Sequence, residues 1–396
     1  MRVVHVTTTL VVGGAERLLV DVARAQQASG LEVAVVELGP PGPLGAPLRA
    51  AGIPVHPVAL GGLADAPGAL RRLTALLRGG RPVVVHTWMF HANALGGLAA
   101  RAARVPRIVW SLHATAAPRR GRSRRARCSA WLGPWLARLA ADVVICTSAV
   151  TRDEAGADGY PPGRLALVRN AVPPADTEVG AVASLRGELG LPADAPLIGH
   201  LGRLDPQKDH ATLLAAFALL ARQRDGLHLV LCGRGVDRAD PAPGSAVAAS
   251  GVAERIHLLG ERDDAARIQR AVDVVVSSSA YGETAPLAVL EAMVQGTPVV
   301  TTDVGDCAEV VGATGRVVPP GEPDALAEAV GQLLGESAAA REQRGLRARR
   351  RVAERFAFDD LLAAYVELYR DGSMGRRRRS DRYILPFPNR EATCGH

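Results

Sequence analysis

The sequence almost lacks lysine. Of its 47 basic residues, 46 are arginine, and the single lysine is Lys208. Aromatic residues make up only 4% of the chain, and there are five cysteines in 396 residues. The cysteines are scattered without a CxxC pair, which argues against a structural zinc site or a disulfide framework and suits a reducing cytoplasm.

Long apolar segments are absent as well. No apolar run reaches the roughly 18 to 20 residues that a membrane-spanning helix needs. The N-terminal "MRVVHVTTTL" leads directly into a strand pattern and shows no secretion signal. With 48% apolar and 22% charged residues, the composition is that of a globular protein. We therefore expect a cytoplasmic protein, which could still associate peripherally with the inner face of a membrane.

Charge is distributed unevenly along the chain. Residues 1–175 carry 21 Arg against 9 Asp plus Glu, and residues 371–396 carry six Arg against three acids. Because the whole chain is +7, residues 176–370 carry a balance of −8. A basic part followed by an acidic part suits two domains with different partners, and the length exceeds that of one ordinary core.

Strand-length apolar runs alternate with helix-period stretches. Near-continuous apolar strands are typical of parallel sheets covered by helices on both faces. The series occurs twice, so we predict two doubly wound, Rossmann-like α/β domains. The predicted strands are 2–8, 32–38, 82–88, 107–113, 142–148 and 164–170, then 196–202, 227–233, 255–260, 273–279 and 297–303.

The two series meet in residues 170–182, where proline and small residues replace periodicity. We predict an N-terminal domain over 1–175 and a C-terminal domain over 176–357. A last amphipathic helix, 358–371, is expected to pack back on the N-terminal domain. Residues 372–396 have no helix or strand period, so we predict a disordered basic tail.

The lone lysine shares a loop with an arginine. In "HLGRLDPQKDHATLLAAFALL" (200–220) a strand ends at Gly202 and a helix begins near Asp209. A helix start offers free N–H groups and the positive end of the helix dipole, which attract anions. Arg203 can grip two phosphate oxygens, whereas Lys208 acts as a mobile point charge. The pattern predicts a diphosphate site; the alternative is two solvated loop cations.

A second stretch pairs two carboxylates. In "SSSAYGETAPLAVLEAMVQGTPVV" (277–300), Glu283 follows a strand and a Tyr-Gly turn, and Glu291 comes eight residues later in a helix that starts near Pro286. Proline suits a first helical turn, because its missing N–H would have no partner there. The two carboxylates can address opposite ends of an elongated polar ligand. The alternative is an N-cap acid and an acid on an amphipathic face.

Together these stretches resemble the C-terminal domain of the retaining GT-B glycosyltransferases of family 4. That family has a G-R-x-x-x-x-K phosphate loop followed by an E-x7-E motif, matched here by "GRLDPQK" and "GETAPLAVLEAM". Further matches are "GGAERLL" (13–19), "CGRG" (232–235), "TTDVGDCAEVV" (301–311) and "RNAV" (169–172), where relatives usually have Asn-Gly-Val. The resemblance covers about residues 1 to 370.

The resemblance implies two domains facing across a cleft, which transfer a sugar from a UDP- or GDP-sugar with retention and need no cofactor. Arg203 and Lys208 would hold the donor diphosphate, Glu291 would accept from the donor ribose, and Glu283 would contact the transferred sugar. His113, at the end of a predicted strand, matches the family's histidine near the sugar, although a lone histidine is more often structural. The expected donor-binding residues are Gly13, Gly14, Gly202, Gly233, Thr284, Ala285, Pro286, Leu287 and Glu291.

Two of these residues have an equally simple structural interpretation. Gly13 and Gly14 end the first strand at a helix start, where glycine allows phosphate or sugar to approach the backbone. The alternative is a tight strand-to-helix turn, because the segment has no G-x-G-x-x-G fingerprint.

The chemistry agrees with the implied activity. Glycosyl transfer from a nucleotide sugar expels a diphosphate, so catalysis needs positive charge where the leaving-group charge develops. A metal ion can supply it, but no Asp-x-Asp stands in a loop, and the acidic pairs at 263–264 and 359–360 are typical of helix starts. We predict that cations and a helix dipole serve instead of a metal.

One segment of the N-terminal domain, "APRRGRSRRARCSAWLGPWLARLAAD" (117–142), suggests a membrane contact. Six arginines from Arg119 to Arg127 precede an apolar helical stripe, which Pro134 is expected to kink or restart. Such a segment suits an anionic membrane surface and hence a polyprenyl-linked acceptor, with a soluble glycan as the other possibility. The alternative is an Arg-rich loop before a core-packing helix. The stripe consists of Trp131, Leu132, Trp135, Leu136 and Leu139.

Three other classes of protein share some of these features. A nucleic-acid binder would explain the positive charge, but the basic part has few aromatics and no groove-reading module, so we expect no nucleic-acid partner. A PLP-dependent phosphorylase shares the architecture but needs a Schiff-base lysine, and Lys208 stands in the phosphate loop. A catalytically silent sensor of nucleotide sugars would keep the same binding motifs, and turnover separates it from an enzyme.

Overall fold

The computed structural model describes residues 1–113, 124–175, 184–237 and 241–370, without the side chains of 63, 124–130 and 241–242. In these ranges the chain forms two parallel sheets, each covered by helices on both faces. The predicted fold class, two Rossmann-like α/β domains, is confirmed. No helix in these ranges has the length and apolar character needed to cross a membrane.

The first sheet consists of β1 (Arg2–Thr7), β2 (Glu32–Glu37), β3 (Val55–Pro57), β4 (Val84–Trp88), β5 (Arg107–Leu112), β6 (Val143–Cys146) and β7 (Leu165–Leu167). Their order is β3-β2-β1-β4-β5-β6-β7, with parallel pairing such as Val3 opposite Val33 and Val84. The order reverses between β1 and β4, so the carboxyl ends of these strands border a crevice.

The second sheet consists of β8 (Leu197–Leu201), β9 (His228–Cys232), β10 (Ile256–Leu258), β11 (Val274–Ser277), β12 (Val299–Thr302) and β13 (Arg316–Val318). The order β10-β9-β8-β11-β12-β13 reverses between β8 and β11. The two stretches singled out from the sequence follow these two strands.

Helices connect the strands in both sheets. They are α1 (Gly14–Ala28), α2 (Gly45–Ala50), α3 (Ala66–Gly80), α4 (Phe90–Ala102), α5 (Arg124–Ala140), α6 (Ala149–Ala157), α7 (Leu185–Glu188), α8 (His210–Gln223), α9 (Pro241–Ala249), α10 (Ala265–Ala271), α11 (Leu287–Gln295), α12 (Cys307–Val311), α13 (Pro323–Leu334), α14 (Ala338–Arg355) and α15 (Phe358–Arg370).

The structure differs from the prediction in two details. Strands β3 and β13 were missed, because both are mostly exposed at a sheet edge and show no apolar run. Helix α5 continues through Pro134, so the expected restart does not occur. The predicted tail lies outside the described residues.

Helix α15 packs on the first sheet although it follows the second in the chain. Arg107 of β5 donates to the Leu368 carbonyl at 2.8 Å, a contact that satisfies a carbonyl in the last helical turn. The domain division near residue 175 stays a prediction. The buried residues of α15, which share a core with β1, β2 and β5, are Phe358, Leu361, Tyr365, Leu368 and Tyr369.

Helix α14 uses its arginines to close the ends of other helices. Arg349 donates to the Val294 and Gln295 carbonyls of α11, at 3.1 and 2.6 Å. Arg351 donates to the Glu309 carbonyl and, at 2.8 Å, to that of Val310, at the end of α12. Helix C-termini leave carbonyls unpaired and carry partial negative charge, so a guanidinium there is favourable.

We predict that Arg351→Met destabilises the C-terminal domain. Losing charged hydrogen bonds to two carbonyls should cost about 2 kcal/mol, which lowers the melting temperature of a domain of this size by about 4 °C or more. Arg347→Met, on the exposed face of the same helix, is the control and should change the melting temperature by less than about 2 °C. Scanning calorimetry measures both, and equal melting temperatures would contradict the capping role.

Candidate active site

The two predicted stretches meet at the switch point of the second sheet. Arg203 and Lys208 follow β8, and Glu283 follows β11, the neighbouring strand across the reversal in strand order. Open α/β sheets bind ligands at this point, beyond the carboxyl ends of the strands.

Polar side chains hold the backbone of the loop after β8. Asp205 accepts the Gln207 N–H at 2.9 Å. Asp209 accepts the N–H of Thr212 at 3.1 Å and its hydroxyl at 2.6 Å, and so caps α8 where a helix start was predicted. The φ of Asp209 is 46°, a left-handed conformation that a short hydrogen-bonding side chain tolerates.

Lys208 forms a largely buried ion pair with Glu283. Its Nζ donates to Oε1 of Glu283 at 2.5 Å, and the Ser279 hydroxyl donates to the same oxygen at 2.6 Å. The side chains of Lys208 and Glu283 are 16% and 8% exposed. The Lys208 carbonyl accepts the Ser278 hydroxyl at 2.7 Å. The loop after β11 therefore holds both ends of the lysine.

Arg203 lies closer to solvent on the same loop. Its side chain is 43% exposed and donates to Asp205 at 3.1 Å and to Gln207 at 3.0 Å. Exposed ion pairs of this kind contribute little to stability. An anion can therefore displace these partners at small cost.

Gly202 and Gly233 allow two loops to pack beside the lysine. A Cβ on Gly233 would lie 2.1 Å from the Gly202 carbonyl oxygen, and the φ of Gly233 is 151°. A Cβ on Gly202 would lie 3.4 Å from Cγ of Lys208. Both predicted donor-binding glycines thus have a close-packing role here.

The residues Thr284 to Leu287 form the turn into α11. Pro286 is the N-cap, one position before the first-turn role expected for it, and Leu287 is the first helical residue. The Thr284 carbonyl accepts the Asp306 N–H at 2.9 Å, and the Ala285 carbonyl accepts the Asn170 side chain at 3.0 Å. The N–H of Val289 already donates to the Pro286 carbonyl at 3.1 Å. The N–H groups that precede it have no carbonyl within the helix, as at any helix start, and are the candidate donors for an anion.

Helix α1 of the first domain lies against this turn. A Cβ on Gly14 would lie 3.2 Å from Leu287, and Arg17 donates to the Arg262 carbonyl at 2.9 Å. Burial raises the pKa of Glu291, and the nearby Arg17 lowers it. The structure therefore brings Gly14, Leu287 and Glu291 together between the two domains.

Glu16 and Arg234 also belong to this site, although the sequence analysis did not single them out. A Cβ on Gly13 would lie 2.4 Å from a carboxylate oxygen of Glu16, so Gly13 makes room for that group. Burial raises the pKa of Glu16, while a backbone hydrogen bond, Arg203 and Arg234 lower it. Glu16 and Arg234 belong to the quoted motifs "GGAERLL" and "CGRG". Charged residues of opposite sign in these two motifs were the feature that could have marked them as site residues.

His113 follows β5 in the first domain. Its ring stacks on Trp88 with 4.8 Å between centroids and 9° between planes. Both ring nitrogens are buried without a hydrogen-bond partner in the described part of the chain. Burial lowers the pKa of His113 to about 4, so the ring is neutral near pH 7. A neutral imidazole can donate one hydrogen bond and accept another from ligand hydroxyls.

No metal cluster is present among the residues that the structure describes: three or more His, Cys, Asp or Glu side chains nowhere come together as ligands. The acidic pairs have helix-start positions. Asp264 is the N-cap of α10, and Asp359 and Asp360 lie in the first turn of α15.

Two Rossmann-like domains, with a cationic loop and a helix start at the switch point of the second, define a protein of the GT-B class. Comparison with family models assigns it more closely. Residues 12–176 match the model described as Glycosyltransferase Family 4, and residues 195–336 match that of glycosyl transferases group 1. The chain belongs to this family of glycosyltransferases.

Individual relatives agree with this assignment. The chain is 31% identical over 313 residues to the alpha-maltose-1-phosphate synthase of Mycolicibacterium smegmatis, covering 72% of this chain and 78% of that protein. It is 34% identical over 180 residues to the D-inositol 3-phosphate glycosyltransferase of Mycolicibacterium gilvum, covering 44% of this chain and only 40% of that protein. The crystal structure of Anabaena HepE with UDP-glucose has a TM-score of 0.82 at 22% identity, over 93% of this chain and 98% of that one.

The ion pair predicts different effects on nucleotide affinity when either of its two partners is changed. Lys208→Ala should weaken the binding of a nucleoside diphosphate about tenfold or more, because a charge-assisted phosphate contact is lost. Glu283→Gln should bind as tightly as wild type or more tightly, because the ammonium no longer shares its charge with a carboxylate. Titration calorimetry with UDP and GDP measures both. An unchanged affinity in Lys208→Ala would show that the ammonium does not face the ligand.

Proposed function

We propose that the protein transfers a sugar from a UDP- or GDP-sugar to a glycan or polyprenyl-linked acceptor, with retention and without a metal ion. The observation that carries this proposal is the Lys208–Glu283 pair, 2.5 Å apart at the switch point beside the start of α11. Membership of the glycosyltransferase family supports it. The complex of HepE with UDP-glucose supports a uridine donor in particular.

In this proposal the donor diphosphate binds over the loop 202–208. Arg203 grips two of its oxygens, and Lys208 turns from Glu283 toward the phosphate. When the bond between sugar and diphosphate breaks, its electron pair moves onto the leaving oxygen. The two cations and the N-terminal dipole of α11 are already in place to stabilise that charge, which is the most effective form of electrostatic catalysis.

The remaining residues would hold the two ends of the donor. Glu283, released by Lys208, accepts from hydroxyls of the transferred sugar, and Glu291 accepts from those of the ribose. His113 meets the sugar from the first domain with its unpaired ring nitrogens. No enzymic nucleophile is assigned, so the proposed route to retention is attack of the acceptor on the face from which the diphosphate leaves. The leaving phosphate then accepts the acceptor's proton.

Turnover with candidate donors tests this function. We expect release of nucleotide from UDP-glucose, UDP-galactose or GDP-mannose in the presence of acceptor, undiminished by EDTA, and a product whose anomeric configuration matches the donor. Arg203→Ala and Lys208→Ala should each remove about 2–4 kcal/mol of transition-state stabilisation. Arg347→Ala, on the exposed face of α14, is the control.

Each failure has its own meaning. Donor binding without turnover on any acceptor would identify a silent sensor. Activity lost in EDTA and restored by Mg²⁺ or Mn²⁺ would show that a metal neutralises the leaving charge. Near-wild-type kcat/KM in a folded Lys208→Ala variant would refute the diphosphate assignment.

An exposed apolar face on α5 supports a lipid-linked acceptor. Trp131 and Trp135 are 79% and 58% exposed, and Leu132 and Leu139 are exposed as well. The small side of the helix, including Ala137, is buried. The helix therefore packs on the core through its small residues. Of the five residues of the apolar stripe, Leu136 alone is partly buried, so core packing does not explain the other four.

We propose that this face lies in the interface of an anionic bilayer, in peripheral association. Interfacial helices place tryptophan and leucine in the acyl boundary and arginine at the headgroups. The arginines are known from the sequence alone. Those from Arg119 to Arg122 lie outside the described ranges, and the side chains of residues 124–127 are not described. The acidic second domain would be repelled by the surface and keep its donor site open to the cytosol.

Binding to liposomes tests the membrane contact. A chain ending at residue 371, without the arginines of the tail, should co-sediment with phosphatidylglycerol liposomes and be released by salt. Each surface arginine contributes about 1 kcal/mol, screened over roughly 10 Å at 0.1 M salt. Changing Arg122, Arg124, Arg125 and Arg127 to Ser should abolish binding at low salt.

A matched control removes exposed charge elsewhere. Arg347→Ser with Arg350→Ser, on the outer face of α14, should leave liposome binding unchanged. If the wild-type chain ignores anionic liposomes at low salt, α5 is not a membrane contact.

A further inference from the structure

The ring of His113 rests on a stack of buried aromatic side chains. Trp88 lies against it, and His86 lies on Trp88 with 4.8 Å between centroids and 28° between planes. Trp88 and His86 are both fully or almost fully buried. The position of the His113 ring, and of its unpaired nitrogens, therefore depends on where Trp88 is held.

The indole of Trp88 sets the direction of a hydrogen-bond chain. Its Nε1–H can only donate, and it donates to Nδ1 of His5 at 3.0 Å. Burial lowers the pKa of His5 to about 4, so the ring is neutral and its proton must be on Nε2. Nε2 of His5 then donates to Oε1 of the Gln26 side chain at 2.9 Å.

The chain continues into the last helix. The Gln26 amide donates to the Tyr369 hydroxyl oxygen at 3.2 Å. The Tyr369 O–H is then directed to Nδ1 of His86 at 2.7 Å, and Nε2 of His86 donates to the Ser111 hydroxyl at 2.7 Å. The indole thus fixes the tautomer of His5. His86 is neutral as well, because burial lowers its pKa, and its Nδ1 is the one acceptor that the described residues offer to the buried Tyr369 O–H, so its proton is assigned to Nε2.

Tyr369 links parts of the molecule that are far apart in sequence. It lies in α15, which comes after the second domain, and its hydroxyl joins Gln26 of α1 to His86 of β4. Without that hydroxyl, the chain is broken in its middle, and the Gln26 amide and Nδ1 of His86 both lose a buried partner.

We propose that His5, Gln26, His86 and Tyr369 are positioning residues for His113, and that they act by holding Trp88 in the plane on which its ring stacks. The last helix is thereby a working part of the sugar site. The inference rests on the proposed function in one respect, that His113 meets the transferred sugar.

Tyr369→Phe in the full chain tests the proposal, because it removes only the hydroxyl. We expect kcat to fall about tenfold or more, since small misplacement of a reacting geometry is costly, while KM for the donor stays within about twofold. Tyr160→Phe makes the same change in a buried tyrosine on the other face of the sheet and should retain kcat. If Tyr369→Phe does not fold, Gln26→Met breaks the same chain with a side chain of similar size.

Correlation NMR of the histidine rings reports their tautomers directly, and a change in stability alone would not alter these signals. In the wild-type protein His5 and His86 should be neutral with the proton on Nε2, and Tyr369→Phe should shift the ring signals of His113. An Nδ1-protonated tautomer at either residue would overturn the hydrogen-bond chain. Unchanged kcat and unchanged His113 signals in Tyr369→Phe would reduce the network to a structural one and overturn the proposal.

The role of His113 is tested separately. Full turnover in His113→Ala would refute its contact with the sugar and leave the tautomer result standing. Loss of turnover in His113→Ala, together with normal kcat in Tyr369→Phe, would keep the proposed function and refute the positioning network.

Discussion

The arrangement of the loops after β8 and β11 depends on one ion pair, between Lys208 and Glu283. Burying an ammonium and a carboxylate costs several kcal/mol per ion, and their attraction offsets this cost only when further hydrogen bonds complete it. Ser279 supplies such a bond to Glu283, at 2.6 Å. Because buried ion pairs add little net stability, stability does not explain why this pair is present. Its position does: the pair holds the Lys208 ammonium beyond the ends of β8 and β11, at the place where an anion would bind.

Contacts between the domains converge on the same loops. Asp306 accepts the Ala149 N–H at 2.9 Å, at the start of α6, where a carboxylate is favoured by the helix dipole. The backbone of Asp306 donates to the Thr284 carbonyl in the turn before α11. Asn170 reaches the next carbonyl of that turn. Two hydrogen bonds, from Ala149 to Asp306 and from Asn170 to the Ala285 carbonyl, therefore tie the first domain to the turn that leads into α11.

The sequence predicted elements that have a local pattern, such as buried strands and amphipathic helices. It did not predict contacts between residues far apart in the chain. Parallel strands buried on both faces, such as β1 and β11, are continuous apolar runs, whereas the edge strands β3 and β13 are mostly exposed and show none. The resemblance to the family placed Lys208 and Glu283 in one site. The direct hydrogen bond between them could not be predicted, because the two residues are 75 positions apart and no local pattern links them. The same holds for the buried chain from Trp88 to Ser111, whose members are related only by the folded core. The orientation of the α5 stripe was equally hidden, since periodicity shows that a face exists and not which way it points.

The single lysine of an arginine-rich chain can now be explained physically. Several arginines of this chain hold a backbone group fixed, as when Arg351 donates to the Glu309 and Val310 carbonyls of α12. A guanidinium is planar and binds through a rigid fork, so passing it from one partner to another requires a new orientation of the whole group. The ammonium of Lys208 is compact, and its stem is packed close to Gly202, where a Cβ would lie 3.4 Å from Cγ. Such a charge can move from Glu283 to a neighbouring anion by rotation about its last bonds, which is the change that a leaving diphosphate would require.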